Sequence, residues 1–181
     1  PDSSLSELKE AFSKFRNVDK ESLIFGNGSD ELIDFLIRAF CEPGNNKILT
    51  FAPTFGMYQV CANVNNVEVI EEQLTEDFQI DLDKLSSRFY DSDLKIIFIC
   101  SPNNPTGNSI DKEVILSIAN SFSGLVVVDE AYIDFAEESL INQKIPNLFV
   151  LQTFSKALGL AGARLGIGIG SKDVIDVLNK I

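Results

Sequence analysis

The chain has 181 residues, the length of one ordinary domain, and can bury a sizeable core. Its formal charge is −12, from 15 basic and 27 acidic residues, and no run of Lys or Arg interrupts the acidity. We therefore expect neither nucleic-acid nor anionic-membrane binding, both of which require a basic patch. Histidine is absent, which excludes histidine-based triads, general bases and metal sites.

The cysteines and the lengths of the apolar runs indicate a cytoplasmic protein. Cys41, Cys61 and Cys100 are odd in number and widely spaced within apolar runs, as is typical of core thiols in a reducing compartment. Their spacing predicts neither a disulfide framework nor a zinc site, so we expect no metal. No apolar stretch reaches the roughly 18 residues of a membrane span, and the first residues do not resemble a signal sequence.

Taken in chain order, apolar runs alternate with helical patterns. The first pattern predicts a helix over 4–15, opened by a capping box of Ser4 and Glu7. A glycine turn over 26–31 then separates the first strand from a largely apolar helix that ends near Phe40. Further helices are predicted over 56–63, 81–90, 111–122 and from 172 to the end. The predicted strands are 23–25, 48–51, 67–70, 96–100, 125–128, 148–151 and 165–169.

The strand patterns decide the fold class. Several strands are uninterrupted apolar runs, so both of their faces should be covered. This predicts an α/β fold of three layers, with a mostly parallel sheet flanked by helices and right-handed connections. No repeat or linker divides the chain, so we expect a single domain over 1–181.

Polar segments follow five of the predicted strands. In sheets of this kind, ligands gather where loops leave the carboxyl ends of the strands. We therefore expect these segments to meet on one rim of the sheet. They are 26–31, 52–58, 101–107, 129–132 and 152–156.

Two of these segments carry groups suited to an aldehyde and a phosphate. Lys156 follows a predicted buried strand, and a buried lysine is a natural imine-forming nucleophile because desolvation favours the neutral amine. Arg164 suits a phosphate, since its guanidinium gives two parallel charge-assisted bonds. The turn over 26–31 exposes backbone N–H groups at a helix N-terminus, a further anion site. Together these groups describe pyridoxal 5'-phosphate (PLP). The alternatives are a solvated Ser-Lys turn and a tight turn capped by Ser29.

Four other residues could contact the ring of such a cofactor. Asp129 follows four apolar residues, so its carboxylate should be buried and in need of a partner, which a pyridinium N–H would supply. A helix N-cap is the alternative for this residue. The Tyr132 hydroxyl and the Asn104 amide could bond a phenolate oxygen, and Phe55 could lie against the ring. Packing and strand termination are the alternatives for these three.

Read together, five segments resemble the fold-type I PLP-dependent aminotransferases, in order and over essentially the whole chain. The Asn-Pro-Thr-Gly string and the Ser-Lys…Arg pair are specific for that superfamily. The Pro-Thr-Phe-Gly-Met-Tyr and Asp-Glu-Ala-Tyr-Ile-Asp-Phe strings point more narrowly to the histidinol-phosphate aminotransferases. The segments are Gly26-Asn-Gly-Ser-Asp-Glu31, Ala52-Pro-Thr-Phe-Gly-Met-Tyr58, Ser101-Pro-Asn-Asn-Pro-Thr-Gly107, Val128-Asp-Glu-Ala-Tyr-Ile-Asp-Phe135 and Thr153-Phe-Ser-Lys156 with Arg164.

The resemblance implies a role for each of these residues. Lys156 forms the imine with the cofactor and later shuttles a proton, while Asp129 pairs with the pyridine nitrogen. Tyr132 and Asn104 hold the phenolate oxygen, and Phe55 stacks on the ring. The phosphate is bound by the backbone of Ser29 and Asp30 and by the side chains of Thr153, Ser155 and Arg164.

The resemblance also implies an activity and an extent. The activity is transfer of an amino group between L-histidinol phosphate and 2-oxoglutarate, by a homodimer in histidine biosynthesis. The family adds an N-terminal arm and a C-terminal small domain, so we expect this chain to correspond to the large domain and to have little activity alone. Two alternatives remain: a PLP-dependent decarboxylase or lyase acting on a substrate such as threonine phosphate, and a non-catalytic PLP-binding fragment. A nucleotide-binding α/β domain is disfavoured, because the turn over 26–31 lacks a P-loop or dinucleotide pattern.

Overall fold

The computed structural model describes residues 5–181, which form six α-helices and a seven-stranded sheet. The helices are α1 (Ser6–Arg16), α2 (Ser29–Phe40), α3 (Met57–Val64), α4 (Leu82–Leu85), α5 (Lys112–Ser121) and α6 (Lys172–Leu178). The strands are β1 (Leu23–Asn27), β2 (Lys47–Ala52), β3 (Glu68–Gln73), β4 (Leu94–Cys100), β5 (Leu125–Asp129), β6 (Leu148–Thr153) and β7 (Leu165–Ile169).

The sheet is mostly parallel, as the apolar runs predicted. Its strand order is β1-β7-β6-β5-β4-β2-β3. Among the strands of residues 5–181, β7 alone is antiparallel to both neighbours, β6 and β1, whereas the other pairings are parallel. The carboxyl ends of the six parallel strands therefore meet the amino end of β7 on one rim.

Helices cover both faces of the sheet, and the side chains of β5 show how. Val126 and Val128 point to the layer that contains α1 and α5, while Leu125 and Val127 point to the layer that contains α2, α3 and α6. All four are buried. Successive residues of a strand face opposite sides, so an uninterrupted apolar run requires cover on both. The predicted three-layer α/β fold is confirmed.

All three cysteines, which lie within the described residues, are free and buried, as predicted. Burial raises the pKa of the Cys41 and Cys61 thiols to about 11 and that of Cys100 to about 12. The thiols are therefore protonated and unreactive near neutral pH.

Some boundaries differ from the predictions. The pattern over 81–90 forms an α-helix only at Leu82–Leu85 and then tightens into a 3₁₀ helix at Ser86–Tyr90. The predicted cap at Ser4 lies outside the described residues. No helix among residues 5–181 is both long enough and apolar enough to cross a membrane.

Candidate functional site

One cavity at the rim is lined by all ten of the residues that the sequence singled out. Gly28, Cys100 and Ala131 complete its lining. The five polar segments were predicted to meet on one rim, and each of them contributes to this cavity. The ten residues are Ser29, Asp30, Phe55, Asn104, Asp129, Tyr132, Thr153, Ser155, Lys156 and Arg164.

The reversed direction of β7 brings Lys156 and Arg164 to the same cavity. The segment 154–164 connects β6 to its antiparallel neighbour β7, so both ends of this connection lie on the rim. The Phe154 N–H donates to the Leu165 carbonyl (3.2 Å) and closes the base of the connection. The lysine and the arginine thus belong to a single loop between two adjacent strands.

The N-terminus of α2 forms the second wall of the cavity. Its N-cap is Gly28, with φ 82°, and no side chain among residues 5–181 caps it. The first N–H groups of the helix, at Ser29 and Asp30, are therefore directed toward the rim, at the positive end of the helix dipole. The Gly28 N–H donates to the Arg164 carbonyl (2.8 Å), which fixes the arginine loop against the start of α2.

Two glycines make this close approach possible: Gly28, which belongs to the predicted glycine turn, and Gly166, to which the sequence prediction gave no role. A Cβ on Gly28 would lie 2.6 Å from Arg164 Nη2, and its positive φ is unfavourable for other residues. A Cβ on Gly166 of β7 would overlap the backbone of Gly28 and Ser29. The sequence signal was present in the Gly-x-Gly-x-Gly alternation of residues 166–170, which is unusual inside a strand.

Asp129 ends β5 and is only 2% exposed, as predicted. Its Oδ1 accepts from the Ala131 N–H (3.0 Å) and its Oδ2 accepts from the Tyr58 hydroxyl (2.8 Å). Burial raises the pKa of this carboxyl, and the two hydrogen bonds oppose that rise. The helix N-cap alternative does not hold, because Asp129 is the last residue of a strand and a short turn follows it.

Tyr58 ends the Pro-Thr-Phe-Gly-Met-Tyr string but was not predicted as a site residue. It is fully buried, its ring stacks on Phe98 at 4.9 Å between centroids and 15° between planes, and Phe55 makes an edge contact at 5.7 Å. Phe55 lies just before α3 and Tyr58 in its first turn, which brings the two rings together. A phenol at that spacing from a predicted ring-stacking residue was the signal available.

Lys156 differs from the prediction in its burial. The residue is exposed, as are all residues from 156 to 164, so the argument from a desolvated amine was wrong. The strand before Lys156 is buried. The loop that carries Lys156 extends over the rim, and there the rest of residues 5–181 leaves it exposed. Its Nζ lies 5.3 Å from the centroid of the Tyr132 ring, a distance typical of a cation–π contact.

Hydroxyl groups connect this loop to the strand ends. Thr153 Oγ1 lies 3.0 Å from Ser155 Oγ and donates to the Leu165 carbonyl at 3.3 Å. The Ser155 N–H in turn donates to Thr153 Oγ1 (3.2 Å). Thr153 and Ser155 are therefore held on the side of the cavity that Arg164 and α2 border.

Asn104 is half-buried at the rim, and the neighbouring Asn103 fixes its loop. Asn103 is 4% exposed; its Nδ2 donates to the Pro53 carbonyl (2.9 Å) and lies 2.8 Å from Thr106 Oγ1. The Thr54 hydroxyl donates to Asn103 Oδ1 (3.0 Å). Asn103 thus links the Asn104 loop to the Phe55 loop, a positioning role that the sequence reasoning missed.

Glu130, next to Asp129, is the second buried carboxylate and also escaped prediction. Its oxygens accept from the Leu140 N–H (2.7 Å), the Ser139 hydroxyl (2.6 Å) and Gln152 Nε2 (2.8 Å). Burial raises its pKa, against these bonds. Glu130 therefore anchors the segment that carries Tyr132 to the strand that leads to Lys156.

The fold and the cavity define an α/β domain with a lysine, a buried carboxylate and an arginine around one rim site. A family model described as Aminotransferase class I and II matches residues 1–181. The chain therefore belongs to the class I and II aminotransferase family. This confirms the resemblance that the motifs indicated.

The relatives of this chain include histidinol-phosphate aminotransferases from several bacteria. A histidinol-phosphate aminotransferase from Cytophaga hutchinsonii is 51% identical and covers 100% of this chain and 53% of its own length. One from Christiangramia forsetii is 49% identical and covers 100% and 52%. The chain thus spans about half the length of the curated relatives it matches.

Solved structures show the same fold. Histidinol-phosphate aminotransferase from Sinorhizobium meliloti, in complex with pyridoxal 5'-phosphate, has a TM-score of 0.91 at 24% identity, covering 100% of this chain and 51% of its own. L-threonine-O-3-phosphate decarboxylase from Porphyromonas gingivalis has a TM-score of 0.81 at 23% identity, covering 98% and 56%. At these identities the likeness concerns the fold alone.

Proposed function

We propose that this protein binds PLP in the rim cavity and uses it to transfer an amino group between L-histidinol phosphate and 2-oxoglutarate. The observation that carries the proposal is the convergence on one cavity of Asp129, at the end of β5, with Lys156 and Arg164, from the loop between β6 and β7. A nucleophilic amine, a buried carboxylate and a phosphate-binding guanidinium are the three groups that the aldehyde, ring nitrogen and phosphate of PLP require.

The donor set at one end of the cavity fits a phosphate. No side chain among residues 5–181 caps the start of α2, where the N–H groups of Ser29 and Asp30 lie, and Arg164 lies against that start. The hydroxyls of Thr153 and Ser155 border the same end. Arg164 Nη2 is 4.0 Å from Asp30 Oδ2, a long ion pair that leaves the guanidinium able to bind an anion.

The other end fits the pyridine ring. Asp129 presents a buried carboxylate, which would hold the ring nitrogen in its protonated form. Phe55 would cover one face of the ring, while Asn104 and Tyr132 would bond the phenolate oxygen. When bound, PLP supplies an aldehyde for the amino group and an electron-withdrawing ring. The side chains of this chain contribute binding, orientation and proton transfer.

Lys156 would act twice in the reaction. Its Nζ would hold the cofactor and, once the amino group of the substrate has replaced it there, would as the free amine take the proton from the α-carbon of the substrate. Its exposure suits both tasks, since the amine must be reached by the cofactor and afterwards by the substrate. The Tyr132 ring, 5.3 Å away, would orient the ammonium form over the cavity.

The curated relatives support the substrate. Two relatives at 51% and 49% identity are named histidinol-phosphate aminotransferases, whereas the threonine-phosphate decarboxylase is similar only in fold. We further propose that the protein is cytoplasmic, as its free, buried cysteines suggest, and acts as a homodimer. In support of the dimer, Leu158 and Leu160 are 42% and 52% exposed beside the cavity, a position that a second copy would cover.

A stoichiometric half-reaction tests the proposal. Because we expect residues 1–181 to have little activity alone, full-length PLP-loaded protein is mixed with L-histidinol phosphate, and absorbance follows conversion of the pyridoxal form to the pyridoxamine form. We expect conversion with release of the keto product, and no carbon dioxide from O-phospho-L-threonine. Carbon dioxide release would favour the decarboxylase, and bound PLP that reacts with neither compound would favour a non-catalytic protein. Lys144→Arg, at an exposed lysine away from the cavity, is the control for Lys156→Arg.

A further inference from the structure

Behind Asp129, outside the lining of the cavity, lies a phenol that has no place in the proposed function. Tyr58 is 0% exposed, so its hydroxyl cannot reach a substrate. That hydroxyl donates to Asp129 Oδ2 at 2.8 Å, while Oδ1 accepts from the Ala131 backbone. Within residues 5–181, each carboxylate oxygen thus accepts one hydrogen bond, and Asp129 also lines the cavity.

We propose that Tyr58 is a positioning residue that keeps Asp129 ionised and aimed at the ring nitrogen of the cofactor. The inference rests on the proposed function for the identity of the ring. Its geometric part, a phenol that holds a buried carboxylate, stands on this chain alone.

The energetics favour this role over simple packing. A buried carboxylate without donors takes up a proton, because its charged form loses its hydration. A protonated Asp129 could not hold a ring nitrogen in the pyridinium form, since the proton would reside on the carboxyl. Tyr58 opposes this, because its hydrogen bond to the charged carboxylate is stronger than the bond it could make to the neutral acid. Burial and the nearby Asp129 raise the pKa of the Tyr58 phenol well above its usual value, so it remains a donor at all ordinary pH values.

Other ionisable groups face Asp129 from the surrounding elements and belong in the balance. Asp30 at the start of α2 raises the pKa of Asp129, and Lys156 in the rim loop lowers it. The Cys100 thiol, at the end of β4, is neutral near physiological pH because burial raises its pKa to about 12. Tyr58 differs from these groups because it bonds the carboxylate directly.

The first arm of the experiment uses the protein without cofactor. Carbon-13 NMR follows the Asp129 carboxyl through a pH titration in the wild type, in Tyr58→Phe and in Tyr90→Phe. Tyr58→Phe keeps the ring that packs on Phe98, and Tyr90, 91% exposed, is the matched control. We expect the Asp129 midpoint to rise by about one to two pH units in Tyr58→Phe alone, the value of one hydrogen bond to a charged group. An unchanged midpoint would overturn the proposal.

The second arm adds PLP labelled with nitrogen-15 in the ring. At one fixed pH, the ring-nitrogen signal should lie at the pyridinium position in the wild type and move toward the neutral pyridine position in Tyr58→Phe. A packing role would leave this signal in place, and that result would refute the proposal. Should wild-type protein fail to bind PLP, the proposed function fails, while the first arm still decides whether Tyr58 controls Asp129.

If Tyr58→Phe does not fold, a measurement on the wild type tests the proposal instead. The Tyr58 hydroxyl proton, buried and bonded to Asp129 Oδ2, should exchange slowly with water and give a downfield NMR signal. That signal should move upfield as Asp129 takes up its proton in acid. A rapidly exchanging hydroxyl proton, or one that ignores the Asp129 titration, would contradict the assignment.

Discussion

At the scale of single residues, the two adjacent buried carboxylates differ in the number of hydrogen bonds that they accept within the fold. Among residues 5–181, Glu130 accepts three hydrogen bonds, whereas Asp129 accepts two and lines the rim cavity. Burial raises the pKa of both. The hydrogen bonds of Glu130 are thus made within the fold. Asp129 has room for a further donor, which the proposed cofactor would supply, and its burial has a cost in stability.

The substitution Asp129→Asn should stabilise the cofactor-free protein. An acid whose folded pKa is raised contributes stability below its unfolded pKa, about 3.9 for Asp, and loses it as the pH rises through the folded pKa. At pH 7 the charged Asp129 therefore destabilises the fold, and a neutral amide that bonds Tyr58 and Ala131 removes that penalty. We expect the melting temperature at pH 7 to rise by about 2–4 °C.

Glu130→Gln is the matched comparison and should lower the melting temperature, because an amide places donors against the donors of Ser139 or Gln152.

Asp129→Asn should also slow the half-reaction by at least about a hundredfold, roughly 2.7 kcal/mol of barrier. Equal changes of the melting temperature in both variants, or a fall of less than about tenfold in the rate of the half-reaction of Asp129→Asn, would mean that Asp129 is merely structural.

At the scale of elements, the site depends on how the start of α2 rests on β7. Gly166 leaves room for the backbone of Gly28 and Ser29, so the helix N-terminus meets the Arg164 loop. The alternation of apolar and polar residues did not reveal this packing, because periodicity indicates which face of an element is buried and not how closely two backbones approach.

Gly166→Ala should therefore disturb both the fold and the phosphate end of the cavity. A methyl group there would overlap backbone atoms, which cannot move aside as a side chain can, and overpacking of this kind typically costs about 1–3 kcal/mol. We expect a lower free energy of unfolding and weaker PLP binding by fluorescence titration.

The control for this substitution is Gly162→Ala, since a Cβ on Gly162 meets no atom within 4 Å. Gly162 lies in the rim loop that leads into β7, so it reports the effect of adding a methyl group to the neighbouring loop. If Gly166→Ala bound PLP as tightly as Gly162→Ala, the proposed contact between α2 and the arginine loop would not be needed for binding.

The direction of β7 was the main feature of the sheet that the sequence prediction left open. The signal was available, because the connection over 154–164 carries no helical pattern, and a parallel crossover needs about a dozen or more residues and usually a helix. A strand that returns after so short a loop must run antiparallel to its neighbour. By contrast, the position of β1 beside β7 follows from contacts distant in sequence and could not be predicted from local patterns.

At the scale of the whole molecule, the layer order and the rim could be predicted because apolar runs and polar breaks repeat along the chain. The supporting residues could not. Tyr58, Asn103 and Gly166 act through contacts with other segments, and the local signals at Tyr58 and Gly166 do not indicate which segments those are. The exposure of Lys156 was missed for a related reason: burial of a strand says little about the loop that follows it.

The central claim is that the rim cavity binds PLP through Lys156, and borohydride reduction followed by peptide mass mapping tests it most directly. Protein incubated with PLP should show imine absorbance, and reduction should fix one pyridoxyl group on Lys156. The control Lys144→Arg should label as the wild type does, whereas Lys156→Arg should not be labelled at this site. A label spread over several surface lysines, or labelling that persists unchanged in Lys156→Arg, would contradict the account.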